Sequence, residues 1–296
     1  KDQGLAALLK GLAAASHGLC LVTTRFSLPD LRAFWQTTAP EVKLLRLSRD
    51  AGVHLLKTLG VRGTTREFET LVEDVKGHAL TLTLLGTYLR DAHGGDIRKR
   101  DLVKLEEADA EEQAGHAFRV MAAYERAFER EGDKGRRALA ILRLLGLFDR
   151  PMTADCFAAL LNPPAIPGLT DPLLGLPEAQ LNLALTRLED AKLIAAHEDD
   201  SAARKSQIVN RKSLDAHPHI REYFANQLRE KNPDAWRAAH RRLYEHLCAS
   251  TKEGDQPTLE ALQPLYQAVA HGCQAGLQQE SYQDIYFARI KRGNEY

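Results

Sequence analysis

The side chains best suited to bind a ligand near the start of the chain are those of Thr24 and Arg25. They end a short apolar and β-branched run, residues 19–24, that predicts a buried parallel strand. In an open parallel sheet, ligands bind beyond the carboxyl ends of the strands, so Arg25 would point into that crevice. Its guanidinium could form charge-assisted bonds to a phosphate, and Thr24 could add a hydroxyl. Taken alone, the three residues that end in Arg25 favour the simpler interpretation, in which Arg25 pairs with a surface carboxylate.

Two later segments place a histidine at a predicted helix start. The first is Gly77-His78-Ala79-Leu80, which opens a strongly apolar helix, and the second is His217-Pro218-His219. A metal held by His217 and His219 would need a third ligand, and the sequence offers none nearby. Both histidines are also compatible with a plain polar role at a helix start.

Other residues with chemical potential form no recognisable site. The four cysteines are far apart and include no CxxC pair, so we expect neither a disulfide framework nor a metal site. Asp109, Glu111 and Glu112 are typical of a solvated acidic loop. We find no arrangement typical of a nucleophile with its base, and we therefore predict no catalytic residue. This cysteine usage favours a reduced, cytoplasmic protein.

The elements that must position these residues begin with an α/β segment, residues 1–47. A helix is predicted up to about Ser16, then a strand over 19–24, a short helix from Pro29 and a second strand over 42–47. Two strands cannot make a stable open sheet. We therefore expect further strands upstream of Lys1, with residues 1–47 as the end of a larger domain.

The remainder of the chain is predicted to be almost wholly helical, which makes the expected fold class mainly α. Residues 48–105 predict a helical domain, and residues 106–116 an acidic connection. Helices followed by short strands at 193–197 and 213–216 and a helix from Ile220 make residues 106–230 a winged-helix pattern. Residues 231–296 predict helices, the last two of the size of a tetratricopeptide repeat, which would open a repeat region.

Taken in chain order, three segments resemble motifs of the STAND class of P-loop NTPases, in the NB-ARC or AP-ATPase branch. The triplet ending in Arg25 resembles the sensor motif, and Gly77–Leu82 resembles the Gly-x-Pro-Leu-Ala-Leu helix start. Ala216-His217-Pro218 resembles the Met-His-Asp motif that ends the winged-helix domain. The resemblance covers about residues 1–230.

The resemblance implies ATP or ADP as the cofactor, with Mg²⁺ in the intact protein. Thr24 and Arg25 would read the γ-phosphate, and Gly77, His78, Ala79 and Leu80 would pack near the adenine. His217 would contact the β-phosphate of ADP and hold the winged helix closed. Two departures weaken this comparison, because the family's proline is Ala79 here and its aspartate is Pro218.

The largest departure from the family is the absence of the Gly-x-x-x-x-Gly-Lys-[Ser/Thr] loop and of a strand ending in paired acids before Arg25. These elements cradle the phosphates and hold magnesium in P-loop NTPases. The parent protein is expected to be an ATPase, whereas this chain alone is expected to be inactive.

The resemblance implies a signalling switch, off with ADP and on with ATP, that oligomerises when activated in bacterial defence or signalling. A protein or small-molecule trigger would act through the C-terminal repeats. The alternatives are a winged-helix transcription regulator and a nucleotide-free repeat scaffold. The charge balance of 40 basic and 40 acidic residues argues against nucleic acid as a partner. The absence of an apolar run of about 18 residues argues against a membrane.

Overall fold

The computed structural model describes residues 3–24, 27–43, 46–103, 115–198, 211–252 and 254–293. They divide into two compact units, Lys1–Leu47 and Ser48–Tyr296. The fold is mainly helical, as predicted. Among the helices in these ranges, none combines the length and the apolar character needed to cross a bilayer.

The first unit contains helix α1 (Gln3–Ala15) and a 3₁₀ helix (Pro29–Phe34). Helix α1 is apolar in sequence but buries none of its residues, and Leu31 is the buried residue of the 3₁₀ helix. A Lys10 Nζ–Asp30 Oδ1 ion pair of 3.6 Å joins the two elements. This unit therefore has little core of its own within the described residues.

The predicted strand over residues 19–24 is absent from the structure. These residues have no regular structure, and the side chains of Leu19 and Leu21 are 97% and 85% exposed. A strand is held by hydrogen bonds to a neighbour, and the described residues of this unit contain no strand that could pair with it. Val42 is likewise exposed and outside any strand, and Leu44 and Leu45 of the second predicted strand lie outside the described residues.

The second unit begins with α2 (Arg49–Thr58), α3 (Thr65–Asp74), α4 (Ala79–His93) and a 3₁₀ helix (Ile97–Val103). Ser48 caps α2, since its side chain accepts a hydrogen bond from the Ala51 amide. Helix α4 is buried over most of its length, in agreement with its predicted apolar surface.

The central part of the unit combines five helices with a small sheet. The elements are, in order, α5 (Gly115–Arg130), α6 (Asp133–Leu145), β1 (Met152–Thr153), α7 (Ala154–Leu160), α8 (Glu178–Asp190), β2 (Ala195–Glu198), β3 (Arg211–Asp215) and α9 (Pro218–Lys231). The three strands are antiparallel in the order β1-β3-β2, with Leu214 of β3 opposite both Met152 and Ala196. The two predicted strands are thus present, and two-residue β1 is an addition that the sequence pattern did not indicate.

The unit ends with α10 (Pro233–Ser250), α11 (Leu259–Gln274) and α12 (Gln278–Glu280), which continues as a π-helix (Ser281–Ile290). Asn232 and Thr258 cap α10 and α11. Helix α10 contacts α11, α7 and α9, so this helical region packs directly on the central part of the unit.

A buried hydrogen-bond chain joins α4, α5 and the end of α8. The Thr87 hydroxyl donates to the Ala191 carbonyl over 3.0 Å and accepts from the Tyr124 hydroxyl over 2.9 Å. Burial raises the pKa of Tyr124, so the phenol remains a donor. The chain fixes the N-terminal helices of the unit against the end of α8.

Candidate functional site

The candidate site is formed by two helix N-termini, each capped by a histidine. Gly77 adopts a left-handed backbone conformation with φ of 65°, which favours glycine and turns the chain from α3 into α4. His78 follows as the N-cap of α4, and its Nδ1 lies 2.8 Å from the Thr81 hydroxyl. Gly77 is buried and His78 half-buried, whereas Ala79 is exposed.

His217 caps α9 in a similar way. Its Nδ1 accepts a hydrogen bond from the His219 amide over 3.2 Å, and Pro218 occupies the first helical position, where its missing N–H is not needed. The rings of His217 and His219 lie 5.2 Å apart. His219 Nδ1 is also 3.3 Å from the Glu222 carboxylate.

These two N-termini lie within electrostatic reach of each other. The pKa of His78 is lowered first by burial and then by the positive charges of His219 and His116. His116 stands at the start of α5, and its buried Nδ1 has no hydrogen-bond partner among the described residues. We call His78, His116, His217 and His219 the histidine cluster.

Aromatic and charged residues of α5 and α9 pack against one another next to the histidine cluster. The Phe118 ring contacts those of His219 and Tyr223, with centroids 6.3 and 5.8 Å apart. The Tyr223 hydroxyl donates to the buried Glu125 carboxylate over 3.2 Å. Burial and the negative charge of Glu125 raise the pKa of Tyr223. The α5–α9 contact thus holds His116 and His219 on one side of the unit.

The arrangement is suited to an anion. Helix N-termini carry unpaired amide groups and a positive partial charge, and an imidazole N–H can donate a further hydrogen bond to a phosphate oxygen. The orphaned His116 Nδ1 is a further polar atom that a phosphate oxygen could satisfy. Glu222, whose side chain is 55% exposed beside His219, is the opposing charge.

Two of the three predicted segments, Gly77–Leu80 and His217, belong to the second unit, at the starts of α4 and α9, which both pack against α5. Thr24 is exposed in the first unit, and Arg25 lies outside the described residues. Sequence reasoning did not identify His116, because a single polar residue at a helix start gives no distinctive pattern. His219 was noted only as a partner of His217, not as a neighbour of His78.

In a winged-helix regulator, α8 would be the helix that reads DNA. Here its arginine already contacts other residues of the same unit. The Arg187 side chain of α8 pairs with Glu131 and stacks over the Phe128 ring at 4.8 Å. The Asp190 carbonyl at the end of α8 accepts a hydrogen bond from Arg90 over 3.0 Å. The arginine of α8 is therefore held by a carboxylate of the same chain, which weighs against phosphate contact by this helix.

Comparison with known proteins finds no matching family model and no matching curated protein. The resemblance to STAND NTPases therefore depends on the three sequence motifs alone.

Proposed function

We propose that this chain is part of a nucleotide-controlled signalling switch of the STAND, NB-ARC-like type, in which ADP favours a closed form and ATP an open, oligomerising form. The observation that carries the proposal is that α4 and α9 both pack against α5, so the two histidine-capped, motif-bearing helix starts belong to one packed group of helices. In this proposal two segments 139 residues apart in sequence, from His78 to His217, contact one nucleotide.

The proposal gives each segment a role. The exposed Ala79 and half-buried Leu80 would contact the adenine, and His217 would bind the β-phosphate of ADP. Thr24 and Arg25 would bind the γ-phosphate of ATP. The α6-β1-α7-α8-β2-β3-α9 part would be a winged helix acting as a clamp, which agrees with the engagement of Arg187 inside the unit.

One contact cannot operate such a switch. Moving an equilibrium from 1:99 to 99:1 takes about 5.5 kcal/mol of differential binding, whereas a charge-assisted hydrogen bond contributes about 1.5–3 kcal/mol. Contacts between parts of the unit must contribute the rest. The buried Thr87–Ala191 hydrogen bond between α4 and the end of α8 is a contact of this kind.

A nucleotide-free scaffold is the second candidate, and a cleft favours it. A cavity of about 600 Å³ lies between α9 and α11, lined by apolar and polar groups that include Trp236, Arg221 and Tyr266. Clefts of this size and mixed lining suit a small ligand or a side-chain anchor of a partner. A scaffold would bind its partner there with no response to nucleotide.

Imidazole NMR resonances distinguish the two candidates. Titrating ADP into the protein should raise the pKa of His78, because phosphate charge offsets the repulsion from His219 and His116. Adenosine, which lacks phosphates, should leave that pKa unchanged. The exposed His54 of α2 serves as the control resonance. An unchanged pKa of His78 with ADP, or equal effects of ADP and adenosine, would count against the nucleotide switch.

A further inference from the structure

Three side chains with metal-binding atoms meet between α7 and α10, on elements other than those that carry the histidine cluster. Asp155 and Cys156 lie in the first turn of α7, and His246 lies on α10. A carboxylate oxygen, the thiol sulfur and an imidazole nitrogen all lie within 4.8 Å of one another. We propose that Asp155, Cys156 and His246 bind a divalent cation of the zinc type.

The geometry is close to that of a coordinated ion. Zinc binds these donors at about 2.0–2.3 Å, so tetrahedral coordination places donor atoms about 3.3–3.8 Å apart. Asp155 Oδ2 and His246 Nε2 are already 3.3 Å apart. The sulfur lies within 4.8 Å of the other two donor atoms and must come nearer by about 1.3 Å at most to reach the tetrahedral spacing. The Asp155 side chain, which is 60% exposed, has the room to adjust.

The donor set and its exposure suit zinc more than calcium or magnesium. Thiolate and imidazole are ligands of borderline-soft transition metals, whereas the hard cations take oxygen. Cys156 is buried at the base of the cluster, His246 is half-buried and Asp155 is exposed at its rim, so an ion can enter from solvent. Three protein ligands leave the fourth position to water.

A simple ion pair between Asp155 and His246 does not account for the third member. Cys156 is buried beside that pair, and its sulfur lies within 4.8 Å of both the Asp155 and the His246 donor atoms. Burial raises the pKa of the Cys156 thiol to about 11, so the metal-free protein holds S–H. On binding, the sulfur–metal bond forms and that proton leaves to solvent.

A bound ion would join α7 to α10, the first helix of the C-terminal helical region. Arg242 of α10 already donates to the carbonyls of Leu160, Asn162 and Pro164 after α7. The metal would add a link at the other end of α7. This would make the attachment of the C-terminal helices to the central part of the unit dependent on metal.

Cobalt binding provides the test, because a thiolate ligand gives Co²⁺ a charge-transfer absorption that oxygen and nitrogen ligands do not. The protein is titrated with Co²⁺, and the bound cobalt is then displaced with Zn²⁺. We expect one equivalent of Co²⁺ with the charge-transfer band. Cys156→Ser should abolish the band, and His246→Gln should weaken affinity by at least about 10- to 100-fold, the loss caused by removing even an outer partner.

The control is Cys248→Ser, which removes a half-buried cysteine of α10 outside the cluster and should leave the band unchanged. Loss of the band in Cys248→Ser, or its persistence in Cys156→Ser, would overturn the proposal. Because Cys156 is buried, circular dichroism must show that its variant folds. If the Cys156→Ser variant does not fold, His246→Gln and Asp155→Asn provide the test of the metal site, because they alter more exposed side chains. Wild-type protein without the band at millimolar Co²⁺ would also refute the site.

Discussion

Two groups of histidines in the second unit differ sharply in their surroundings. The histidine cluster lies at helix N-termini, with exposed and half-buried side chains. His240 of α10 and His271 of α11 instead form a buried pair, with Nδ1 atoms 2.8 Å apart and side chains only 2% and 6% exposed. One pair member must donate and the other accept, so both rings are fixed by their mutual bond.

The pKa of His78 in the cluster is also lowered by burial, but the shifts are larger in the buried pair. Burial lowers the pKa of His240 to about 3, with a further contribution from the charge of His271. Burial lowers the pKa of His271 to about 4, an effect that Asp149 opposes and Arg150 supports. Both rings are therefore neutral at physiological pH, packed at the edges of Trp236 and Phe148.

The comparison shows that surroundings, more than residue type, decide what a histidine can do. The buried pair acts as a neutral polar link between two helices, and protonation of either ring would add a cost. The cluster has accessible rings and neighbouring amide groups, which is what an anionic ligand requires. Four predictions test this division, starting with the largest expected effect.

The buried pair should make the protein lose stability in mild acid. Both folded pKa values lie below the unfolded value of about 6.5, so the pair's stabilisation is complete above that pH and is lost as the pH falls below it. At pH 5 each histidine accounts for a loss of about 2 kcal/mol in the free energy of unfolding, and the pair for about 4 kcal/mol. Urea unfolding at pH 7.5 and pH 5 measures this loss.

The double variant His240→Gln/His271→Gln keeps polar side chains at both positions but cannot titrate. It should show a correspondingly smaller loss between the two pH values. His54→Gln, which changes an exposed histidine, should behave as wild type. An equal pH dependence in the double variant would show that the buried pair is not the source.

Glu125 should be the main support of the histidine cluster. Its carboxylate accepts hydrogen bonds from Tyr223, Gln227 and Lys231, and lies 3.5 Å from Arg143. Glu125→Gln keeps the size but removes the charge and points amide hydrogens at these donors. We expect a loss of about 2–3 kcal/mol in the free energy of unfolding.

The matched control is Glu129→Gln, an exposed glutamate on the same helix. If the support is specific, Glu125→Gln should also shift the imidazole NMR resonances of His116 and His219 while leaving those of His240 and His271 in place. Equal shifts in both histidine groups would mean that the substitution perturbs the whole unit. Glu125 would then not be a specific support of the histidine cluster.

Local patterns made much of the second unit predictable from sequence. The helical character of residues 48–105 was predicted correctly, and the two strands near 195–198 and 211–215 were predicted within a few residues. The strand over residues 19–24 was wrong, because an apolar run specifies a strand only when a partner is available to pair with it.

The candidate site was predictable only in part for a related reason. His78 and His217 carried recognisable motifs, but the packing of α4 and α9 against α5 is long-range and no local pattern encodes it. The buried pair did have a usable signal. His240 shares a helix face with Trp236, Leu243 and Leu247, which should have indicated burial before the structure was known.

His217 should matter for nucleotide retention more than for stability. If its ring binds the β-phosphate, His217→Ala in the intact protein should lose about 1.5–3 kcal/mol of contact energy. That corresponds to about 10- to 100-fold weaker ADP retention, with more oligomer formed in the absence of a trigger. Dialysis of bound ADP and light scattering measure the two effects. With His54→Ala as the control, a variant that retains ADP and stays monomeric would remove His217 from the proposed switch.

The smallest expected effect concerns His78, and it separates its role as the N-cap of α4 from its proposed role in ADP binding. Its side chain caps α4 by accepting a hydrogen bond from the Thr81 amide, so His78→Ala should cost about 1 kcal/mol in the free energy of unfolding. His78→Asn supplies another capping acceptor and should restore that stability without an imidazole. Urea unfolding of both variants measures the cap. If Asn and Ala destabilise equally, the ring itself is needed for packing, and His78 then resembles the buried pair more than the cluster. If Asn restores stability, the imidazole is dispensable for the fold, and any remaining change in ADP response belongs to ligand binding.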